Sequence, residues 1–487
     1  MNWSLRYVTP EAAFPREMSD DFGIPLSEWW AWDEPYKVAY REYAHNQAEK
    51  EAMVYAVNAA VARSSLIEKL DPGWKAAITA HYGAIAMPEY AITMGESRMA
   101  RFGRAAAWRN TATYGTLDET RHGQIQAAFA YGLLPKEPRM DWAHKLLHTN
   151  DWGAIAVRSF DDDIFTANDA VRTAIQLTFA TETGFTNLQF LGMAAEAMRV
   201  GDVSFGSLLS SIQTDEARHA QQGEPTLKVL LANGKKAEAQ QLIDVAFWRN
   251  WRLFALLAGP SMDYYTPLES REMPFKEFCQ EWIGKQFLDQ ITSFGLEKPW
   301  YWDDHFLTDL NWWHHAIALG LWYWRATIWF SPHAGMSSAE RQWLEQHYPG
   351  WTSLFGQYWD ESATAIRAGK ADSTFSETLP TMCNMCQIPV VAPAGFLGGY
   401  RKTPGPLTLE YGGRKYQFCS EPCQWIFEQA PERYAGHLNI LDRFLAGYVQ
   451  PPTMEGALQY MGVSPEESGQ DADGYNWAYE SAGAAAG

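Results

Sequence analysis

Two short segments of the chain, residues 118–124 and 215–221, have nearly the same sequence. Five of their seven positions are identical, and each contains a glutamate followed three positions later by a histidine. On an α-helix, residues three positions apart are surface neighbours, about 5–6 Å apart at Cβ. The carboxylate and the imidazole of each copy would therefore point in the same direction. These pairs are Glu119 with His122 and Glu216 with His219.

Paired carboxylates and imidazoles on facing helices can hold two metal ions when two further helices each add a carboxylate. Carboxylate oxygens with a few imidazoles suit iron or manganese, whereas zinc sites have fewer carboxylates and more His or Cys. One such pair is common on solvated helix faces. Its repetition predicts a dinuclear metal site in a four-helix bundle.

The two further carboxylates must come from other helices. Between the motifs, Glu182 is the better candidate because its neighbours are apolar or small, whereas Glu196 lies near a polar helix end, close to Arg199. A buried carboxylate is costly without a cation or a proton. Before the first motif, Glu89 and Glu96 lie seven positions apart and face roughly the same side of a helix. Periodicity therefore leaves both of them open.

An aspartate precedes the glutamate in each motif, and an arginine precedes the histidine. Asp118 and Asp215 are predicted to accept a hydrogen bond from a ligand imidazole and so fix its tautomer. Arg121 and Arg218 can pair with these aspartates. The simpler interpretation is an ordinary ion pair along one helix, and the repetition of both residues favours the supporting role.

The sequence that must position these groups reads as mainly helical. Pro88 should kink or bulge its helix just before Glu89, since proline removes an intrahelical hydrogen bond. Residues 1–37 form an arm that either covers the bundle or contacts another subunit, and residues 38–375 form the helical domain. The predicted long helices span residues 38–70, 74–104, 110–133, 168–200 and 205–223, with mostly helical sequence from 225 to 348.

Residues 376–450 differ in character, with short strand-like runs between four cysteines, and residues 451–487 form a tail. Two Cys pairs with this spacing could close a tetrahedral zinc site. Residues 413–434 resemble the small YHS/TRASH-type treble-clef modules. A metal-free module held by packing remains the alternative. The cysteines are Cys383, Cys386, Cys419 and Cys423.

The overall composition narrows the classes of partner. The net charge of −19 argues against nucleic acid and against an anionic membrane surface. No apolar run is long enough to span a bilayer, and the first residues lack a secretory signal pattern. We therefore expect a cytoplasmic protein.

Over essentially its whole length, the sequence resembles the large hydroxylase subunit of bacterial soluble di-iron multicomponent monooxygenases. It is most similar to the toluene/aromatic and alkene monooxygenase branch. The resemblance implies a ferritin-like four-helix bundle with additional helices and the small C-terminal YHS-like α+β module. The stretches that carry it are residues 182–187, 211–222, 262–268 and 298–303.

This resemblance also implies which residues hold the iron. It selects Glu89 over Glu96, so that one iron takes Glu89, Glu119 and His122. The second iron takes Glu182, Glu216 and His219, with Glu119 bridging in at least some states. The implied catalytic residues are Thr186, Glu119 and Glu216, where Thr186 would hold a proton or water network near the oxygen-binding face.

Several neighbouring residues match positions of the substrate pocket and its entrance. Ile85 and Phe190 match pocket positions, whereas Asn187 and Gln213 match residues linked to gating and effector contact. The chain departs from the family pattern at three positions, which puts the substrate in doubt. These are Asp161, where relatives carry an aromatic residue, and Pro88 and Ile92 beside the first ligand.

The implied reaction inserts one oxygen atom of O2 into an aromatic or alkene hydrocarbon and releases the other as water. Electrons would come from NADH through a reductase and then a Rieske-type ferredoxin. The implied partners are an effector protein and smaller β and γ subunits in a dimer of heterotrimers. A ferritin-like iron-storage protein is the main alternative, although storage needs only a short four-helix chain. A radical-generating ribonucleotide reductase subunit fits less well, because no ligand position here is Asp.

Overall fold

The computed structural model describes residues 22–35, 37–138, 140–141, 145–323, 337–361, 381–390 and 407–462. Most of the predicted arm, and the tail beyond residue 462, lie outside these residues. The mainly α fold is confirmed. In chain order, the long helices of the first half are α1 (Tyr40–Arg63), α2 (Pro72–Phe102), α3 (Ala106–Leu133), α4 (Trp152–Asp161), α5 (residues 170–199) and α6 (Val203–His219).

Four of these helices, α2, α3, α5 and α6, form the central bundle, and α1 packs across α3 and α6. The start of α2 follows from its sequence. Asp71 caps it by accepting hydrogen bonds from the backbone N–H of Gly73 at 2.7 Å and of Trp74 at 3.2 Å. Pro72 occupies the first turn, where a missing N–H costs nothing. Asp169 caps α5 in the same way.

The irregular turns of the bundle lie in α5, which carries Glu182. Its ends, Ala170–Thr173 and Ala194–Arg199, are α-helical, whereas Ala174–Phe185 and Leu188–Met193 have π-helical hydrogen bonding. Such wide turns often occur at functional sites. The helix expected to be irregular, α2, instead runs as a single α-helix through Pro88.

The described part of the arm covers the bundle. Trp29 and Trp32 are buried and stack on Trp108 of α3, with ring centroids 5.7 and 6.0 Å apart. Trp32 also donates a hydrogen bond from Nε1 to Thr226 Oγ1 at 3.0 Å. Trp30 is 74% exposed, so it is free to contact a further surface.

The chain after α6 adds helices around the bundle. The first α-helices of this part are α7 (Gly223–Ala232) and α8 (Lys236–Pro260), and α8 is the longest helix of this part among the described residues. None of the described helices combines the length and apolar character needed to cross a bilayer. Further helical segments are Glu28–Ala31, Leu66–Lys69, Leu146–His148, Asp162–Thr166, Ala220–Gln222, Ser261–Tyr265, Leu268–Ser270, Phe275–Phe278, Cys279–Lys285, Gln286–Ser293, Trp302–Phe306, Leu307–Asp309, Trp313–Tyr323, Ser338–His347 and Thr352–Gly356.

The C-terminal module contains two antiparallel hairpins, β1 with β2 and β3 with β4. Gly412 and Gly413 join β3 to β4 with φ of +58° and +76°, values that suit a two-residue hairpin turn. The module is tied to the bundle by Arg433, whose Nε donates to Asp163 Oδ1 at 2.8 Å. Its elements are β1 (Thr381–Met382), β2 (Pro389–Val390), β3 (Leu407–Tyr411), β4 (Arg414–Phe418) and the helices Glu421–Gln429, Pro431–Tyr434, Ile440–Leu445 and Met454–Met461.

Candidate metal centre

The two Glu-x-x-His pairs meet in the middle of the bundle. One pair lies on α3 and the other on α6, and all four side chains are buried. The imidazole rings of His122 and His219 are 5.8 Å apart between centroids. The repeated motif therefore forms one site from two helices.

Glu89 from α2 and Glu182 from α5 complete the site. The first group of potential ligands is Glu89, Glu119, His122 and Glu216, and the second is Glu119, Glu182, Glu216 and His219. In each group, one oxygen or nitrogen of every residue lies within 4.8 Å of the others. Both Glu119 and Glu216 belong to both groups. The structure thus has two shared carboxylates, where the resemblance implied bridging by Glu119 alone.

The carboxylates of the site have few hydrogen-bond donors. Both oxygens of Glu119, both of Glu182 and Oε2 of Glu216 are buried without a hydrogen bond among the described residues. His219 Nδ1 lies 2.7 Å from Glu119 Oε1, and His122 Nδ1 lies 3.3 Å from Glu216 Oε1. Buried polar atoms of this kind need a cation or a proton. Carboxylate and imidazole donors fit iron or manganese better than zinc.

The charges within the site support the same interpretation. Burial raises the pKa of Glu89 well above its usual range, and the neighbouring Glu119 carboxylate raises it further. Burial also raises the pKa of Glu182 well above normal, against the lowering effect of His219. Raised pKa values favour the protonated carboxyls, and a metal ion needs them ionised, so binding of a metal ion should release protons.

The aspartates of the motifs hold the imidazoles across the helix pair. Asp118 Oδ2 lies 2.9 Å from Nε2 of His219, and Asp215 Oδ2 lies 3.4 Å from Nε2 of His122. Each aspartate therefore contacts the histidine of the other motif. This leaves the Nδ1 atoms facing the carboxylates, which is the arrangement that metal-binding histidines need.

The arginines of the motifs also pair across helices. Arg121 donates from Nη1 to Asp215 Oδ2 at 2.9 Å, and Arg218 donates from Nη2 to Asp118 Oδ2 at 2.5 Å. Arg218 additionally makes the ion pair along its own helix, with Asp215 Oδ1 at 2.9 Å. The structure thus contains both an ion pair along one helix, made by Arg218, and contacts between helices, which join α3 to α6.

Sequence reasoning missed three residues of α1 that complete this network. Tyr43 and Gln47 each donate to Asp118 Oδ1 at 2.7 Å. Gln47 also donates to Asp215 Oδ1 at 2.8 Å, and Lys50 donates to the same oxygen at 2.7 Å. Their spacing of four and three positions places all three on one helix face, which was the signal in the sequence that could have identified them.

The competing carboxylates have other partners. Glu96 accepts hydrogen bonds from Gln222 Nε2 at 2.9 and 3.0 Å, and burial raises its pKa to about 8. Glu196 lies 3.3 Å from Arg199 Nη1, and burial raises its pKa to about 7. Among the described residues, neither belongs to a group of potential metal ligands.

A small cavity of about 40 Å³ lies beside the site. Its wall includes Glu89, Glu182 and Glu216, and otherwise is mostly apolar. Of the predicted pocket residues, the cavity is lined by Ile85, Pro88, Ile92, Asp161, Thr186 and Phe190.

Two predicted gate residues do not line this cavity. Asn187 and Gln213 are half-buried, and Asn187 Nδ2 donates to Gln286 Oε1 at 3.2 Å on the outer side of α5. Their role in gating stays a prediction. Thr186 lines the cavity and donates from Oγ1 to the Glu182 backbone carbonyl at 2.8 Å, so its hydroxyl oxygen can still accept a hydrogen bond.

The four late cysteines converge in the C-terminal module. All are buried thiols, and their sulfur atoms lie within 4.8 Å of one another. The sulfur atoms of Cys419 and Cys423 are 3.4 Å apart, and those of Cys386 and Cys419 are 3.9 Å apart. Trp248 of α8 donates from Nε1 to Cys423 Sγ at 3.2 Å. Four converging sulfurs fit a closed tetrahedral zinc site.

Comparison with known proteins identifies the family. The family described as Methane/Phenol/Alkene Hydroxylase matches residues 3–234, and the YHS domain matches residues 402–438. The chain is 45% identical to the oxygenase component subunit alpha of an alkene monooxygenase system from Xanthobacter autotrophicus, over 98% of this chain and 95% of that protein. The chain belongs to the methane, phenol and alkene hydroxylase family. Membership supports oxygenase chemistry and not the iron-storage alternative.

This hydroxylase also resembles two relatives of lower sequence identity. It is 28% identical to the oxygenase component of a phenol 2-monooxygenase from Pseudomonas sp. strain CF600, over 89% of this chain and 82% of that protein. Its fold matches the crystal structure of a phenol hydroxylase from Pseudomonas sp. OX1 with a TM-score of 0.79 and 24% identity, covering 95% of this chain and 92% of that one. This likeness confirms the ferritin-like fold of the hydroxylase. The relatives are components of multicomponent systems, so this subunit also works with partners.

Proposed function

We propose that this subunit holds two iron ions and inserts one atom of O2 into a small alkene or aromatic substrate. The observation that carries the proposal is the pair of overlapping carboxylate and imidazole groups beside a mostly apolar cavity. One iron would take Glu89, Glu119 and His122, and the other Glu182, Glu216 and His219. Glu119 and Glu216 are near enough to serve both ions.

Epoxidation of an alkene is the form of this reaction that the relatives favour. The relative at 45% identity is a component of an alkene monooxygenase, whereas the phenol 2-monooxygenase component is more distant at 28%. The balanced reaction combines the alkene with O2, two electrons and two protons, and yields the epoxide and one water. Hydroxylation of an aromatic ring would need the same electrons and protons.

The protein residues would contribute positioning and protection from water. Bound iron ions would supply the one-electron redox steps that O2 reduction requires. Asp118 and Asp215 hold the two imidazoles in the tautomer that leaves Nδ1 free for a metal. The apolar wall keeps bulk water from the reacting carbon. Thr186 would hold a proton at Oγ1 beside Glu182.

The two electrons must come from other proteins. We propose that NADH supplies them through a reductase and a Rieske-type ferredoxin, with an effector protein controlling access. Smaller β and γ hydroxylase subunits would complete a dimer of heterotrimers. This proposal rests on the relatives being components of multicomponent systems.

A single-turnover experiment tests the oxygenase directly. The iron-loaded hydroxylase complex, reduced chemically and mixed with ¹⁸O2 and a small alkene, is expected to form an epoxide that carries one ¹⁸O atom. The measurement is mass spectrometry of the extracted product. An excess of iron over two ions per chain, with no labelled product from alkenes or arenes, would favour iron storage instead.

The choice between the two carboxylates of α2 gives a matched pair of variants. Glu89→Gln is expected to lower iron occupancy and to reduce product formation by at least about 10-fold, because it removes a ligand oxygen. Glu96→Gln should keep the iron, since Glu96 is held by Gln222 outside the ligand groups. Iron analysis of both purified variants checks this. Loss of iron from Glu96→Gln alone would reverse the assignment.

The cysteine module is proposed to hold a structural zinc ion. Cys383→Ser is expected to lower zinc content, because it removes one of four thiolates, while iron content stays the same. Cys279→Ser is the matched control. Cys279 is also buried, but it is distant in sequence from the four cysteines and belongs to no group of potential ligands among the described residues. Elemental analysis measures both metals. Wild-type protein without zinc would identify a metal-free module.

A further inference from the structure

Asp161 is a carboxyl group in the wall of the active-site cavity. It is the last residue of α4, directly before the π-helical turn Asp162–Thr166, and it is 1% exposed. Val157 and Phe160 of the same helix line the cavity beside it. A carboxyl group here interrupts a wall that is otherwise suited to a hydrocarbon.

One carboxyl oxygen of Asp161 is buried without a partner. No described residue donates a hydrogen bond to its Oδ2 atom. The two arginines whose charges act on it point elsewhere: Arg158 donates to two backbone carbonyl oxygens at 2.5 and 2.6 Å, and Arg249 donates to Asp163 Oδ2 at 3.0 Å. Among the described residues, the buried Oδ2 atom of Asp161 is therefore left without a hydrogen bond.

Other polar groups in the cavity wall are satisfied. Thr181 donates from Oγ1 to a backbone carbonyl at 2.8 Å, as Thr186 does. Gln189 Nε2 lies 3.0 Å from His81 Nε2, and burial lowers the pKa of that histidine to about 3, so it is a neutral acceptor. The three glutamates of the wall belong to the proposed iron site. Asp161 is the polar group of this wall whose partner must come from inside the cavity.

A buried polar group without a partner destabilises the folded protein. Protein positions that carry such a cost often serve binding or catalysis. An alkene or arene without polar atoms would leave Asp161 unsatisfied. A ligand with an oxygen-bearing group at one end would satisfy it and still fill the apolar wall.

We propose that Asp161 binds the hydroxyl group of the substrate, and that the enzyme acts on short unsaturated alcohols. This inference rests on the proposed oxygenase function and names its substrate class. The hydroxyl would lie at Asp161, and the carbon chain along Val157, Phe160 and their apolar neighbours. The double bond would then be presented to the side of the cavity formed by the glutamates.

The hydroxyl group suits Asp161 whether or not the carboxyl is protonated, because a hydroxyl both donates and accepts hydrogen bonds. Burial raises the pKa of Asp161 well above its usual range, and the nearby Asp162 raises it further. The neutral acid can therefore donate to the substrate oxygen and accept from its proton. A binding site built to bond a hydroxyl discriminates strongly against an analogue that lacks it.

Competition between allyl alcohol and 1-butene tests this assignment, since the two differ by a hydroxyl in place of a methyl group. The reconstituted wild-type complex is expected to epoxidise allyl alcohol with the higher kcat/KM. Asp161→Leu should lower the ratio of the two kcat/KM values by about 10- to 100-fold, while Asp161→Asn keeps most of it. Val157→Ile is the control, because it changes the shape of the same wall and should alter both substrates alike.

Thermal unfolding separates binding from a structural role. Asp161→Leu removes an unpartnered buried group, so its midpoint should equal or exceed that of wild type, whereas a structural carboxyl would make it fall. A wild-type preference for 1-butene, or a ratio unchanged by Asp161→Leu, would overturn the inference while the oxygenase proposal stands. If neither substrate is oxidised, the oxygenase proposal fails. In that case, saturation-transfer NMR with 1-propanol tests alcohol binding at Asp161 independently of turnover. A signal in wild type that is lost in Asp161→Leu supports the inference, and equal signals contradict it.

Discussion

Glu119→Gln is expected to leave the hydroxylase without its full complement of iron and to reduce product formation by at least about 100-fold. Supporting residues around a metal already change affinity or activity by about 10- to 100-fold when they are replaced. Glu119 should exceed that range, because its carboxylate belongs to both groups of potential ligands. An amide has one acceptor oxygen and no negative charge, so it cannot hold two cations together.

The surroundings of Glu119 explain why the effect should be specific to metal binding. Its oxygens lie against the two histidines of the site, with His219 Nδ1 2.7 Å from Oε1 and His122 Nδ1 3.5 Å from Oε2, so the change acts first on the proposed ligand groups. Burial raises the pKa of Glu119, but the two histidines outweigh this and hold it below the usual range. The pKa of Glu119 is therefore shifted in the opposite direction from those of the other carboxyls of the site, Glu89, Glu182 and Glu216, which burial raises.

Thr120→Ala provides the matched control for this variant. Thr120 is the next residue of α3, and its hydroxyl bonds only to the backbone carbonyl of Thr116 at 2.8 Å among the described residues. Iron content and single-turnover product are measured for both variants, with circular dichroism to check the fold. Glu119→Gln that retains two iron ions per chain and wild-type product would remove Glu119 from the ligand set.

The part of the site that the sequence predicts well is the part set by helix periodicity. Glu119 and His122, and their counterparts on α6, are three positions apart, so any α-helix presents them together. The apolar surroundings of Glu182 also pointed to the residue of α5 that lies in a group of potential ligands. These inferences needed only local structure.

The choice between Glu89 and Glu96 depended on neighbours that are distant in sequence. Both lie on one face of α2, and what separates them is Gln222, which holds Glu96, and Gly115 of α3. A Cβ atom on Gly115 would lie only 2.4 Å from Glu96 Oε2, so the glutamate occupies the space that the glycine leaves. No periodicity in the sequence carries this information.

The pairing of the motifs was likewise a tertiary property. The sequence suggested that each aspartate supports an imidazole, but not that Asp118 would support His219 and Asp215 would support His122. This crossing depends on how α3 and α6 face each other. The π-helical turns of α5 were also unexpected, because the sequence placed the irregularity at Pro88, where the α-helix in fact continues.

Asp118→Ala is expected to destabilise the fold and weaken metal binding together, because Asp118 is the centre of the cross-helix network. Its Oδ1 accepts hydrogen bonds from Tyr43 and Gln47, and its Oδ2 accepts from Arg218 and lies against His219. Removing one partner of a buried ion pair costs about 3–5 kcal/mol. Arg218 keeps Asp215 as a partner, so we expect the lower end, about 3 kcal/mol.

Asp118→Ala should also weaken metal binding, and it should do so through His219. Among the described residues, Asp118 is the partner of Nε2 in that imidazole, so without it the tautomer is no longer fixed and affinity for iron should fall by about 10- to 100-fold. Chemical denaturation of the metal-free protein measures the free energy of unfolding, and a chelator titration measures iron affinity. The two measurements separate the loss of the ion pair from the loss of the imidazole anchor.

An exposed ion pair of the same chain provides a reference for the expected change in the free energy of unfolding. Glu224 and Lys228 pair at 2.6 Å on α7 with both side chains largely exposed, so Glu224→Ala should change the free energy of unfolding by less than about 1 kcal/mol. Equal effects of Asp118→Ala and Glu224→Ala would contradict a central role for Asp118. A large loss of stability with unchanged iron affinity would assign Asp118 to holding α1, α3 and α6 together and leave His219 to other contacts.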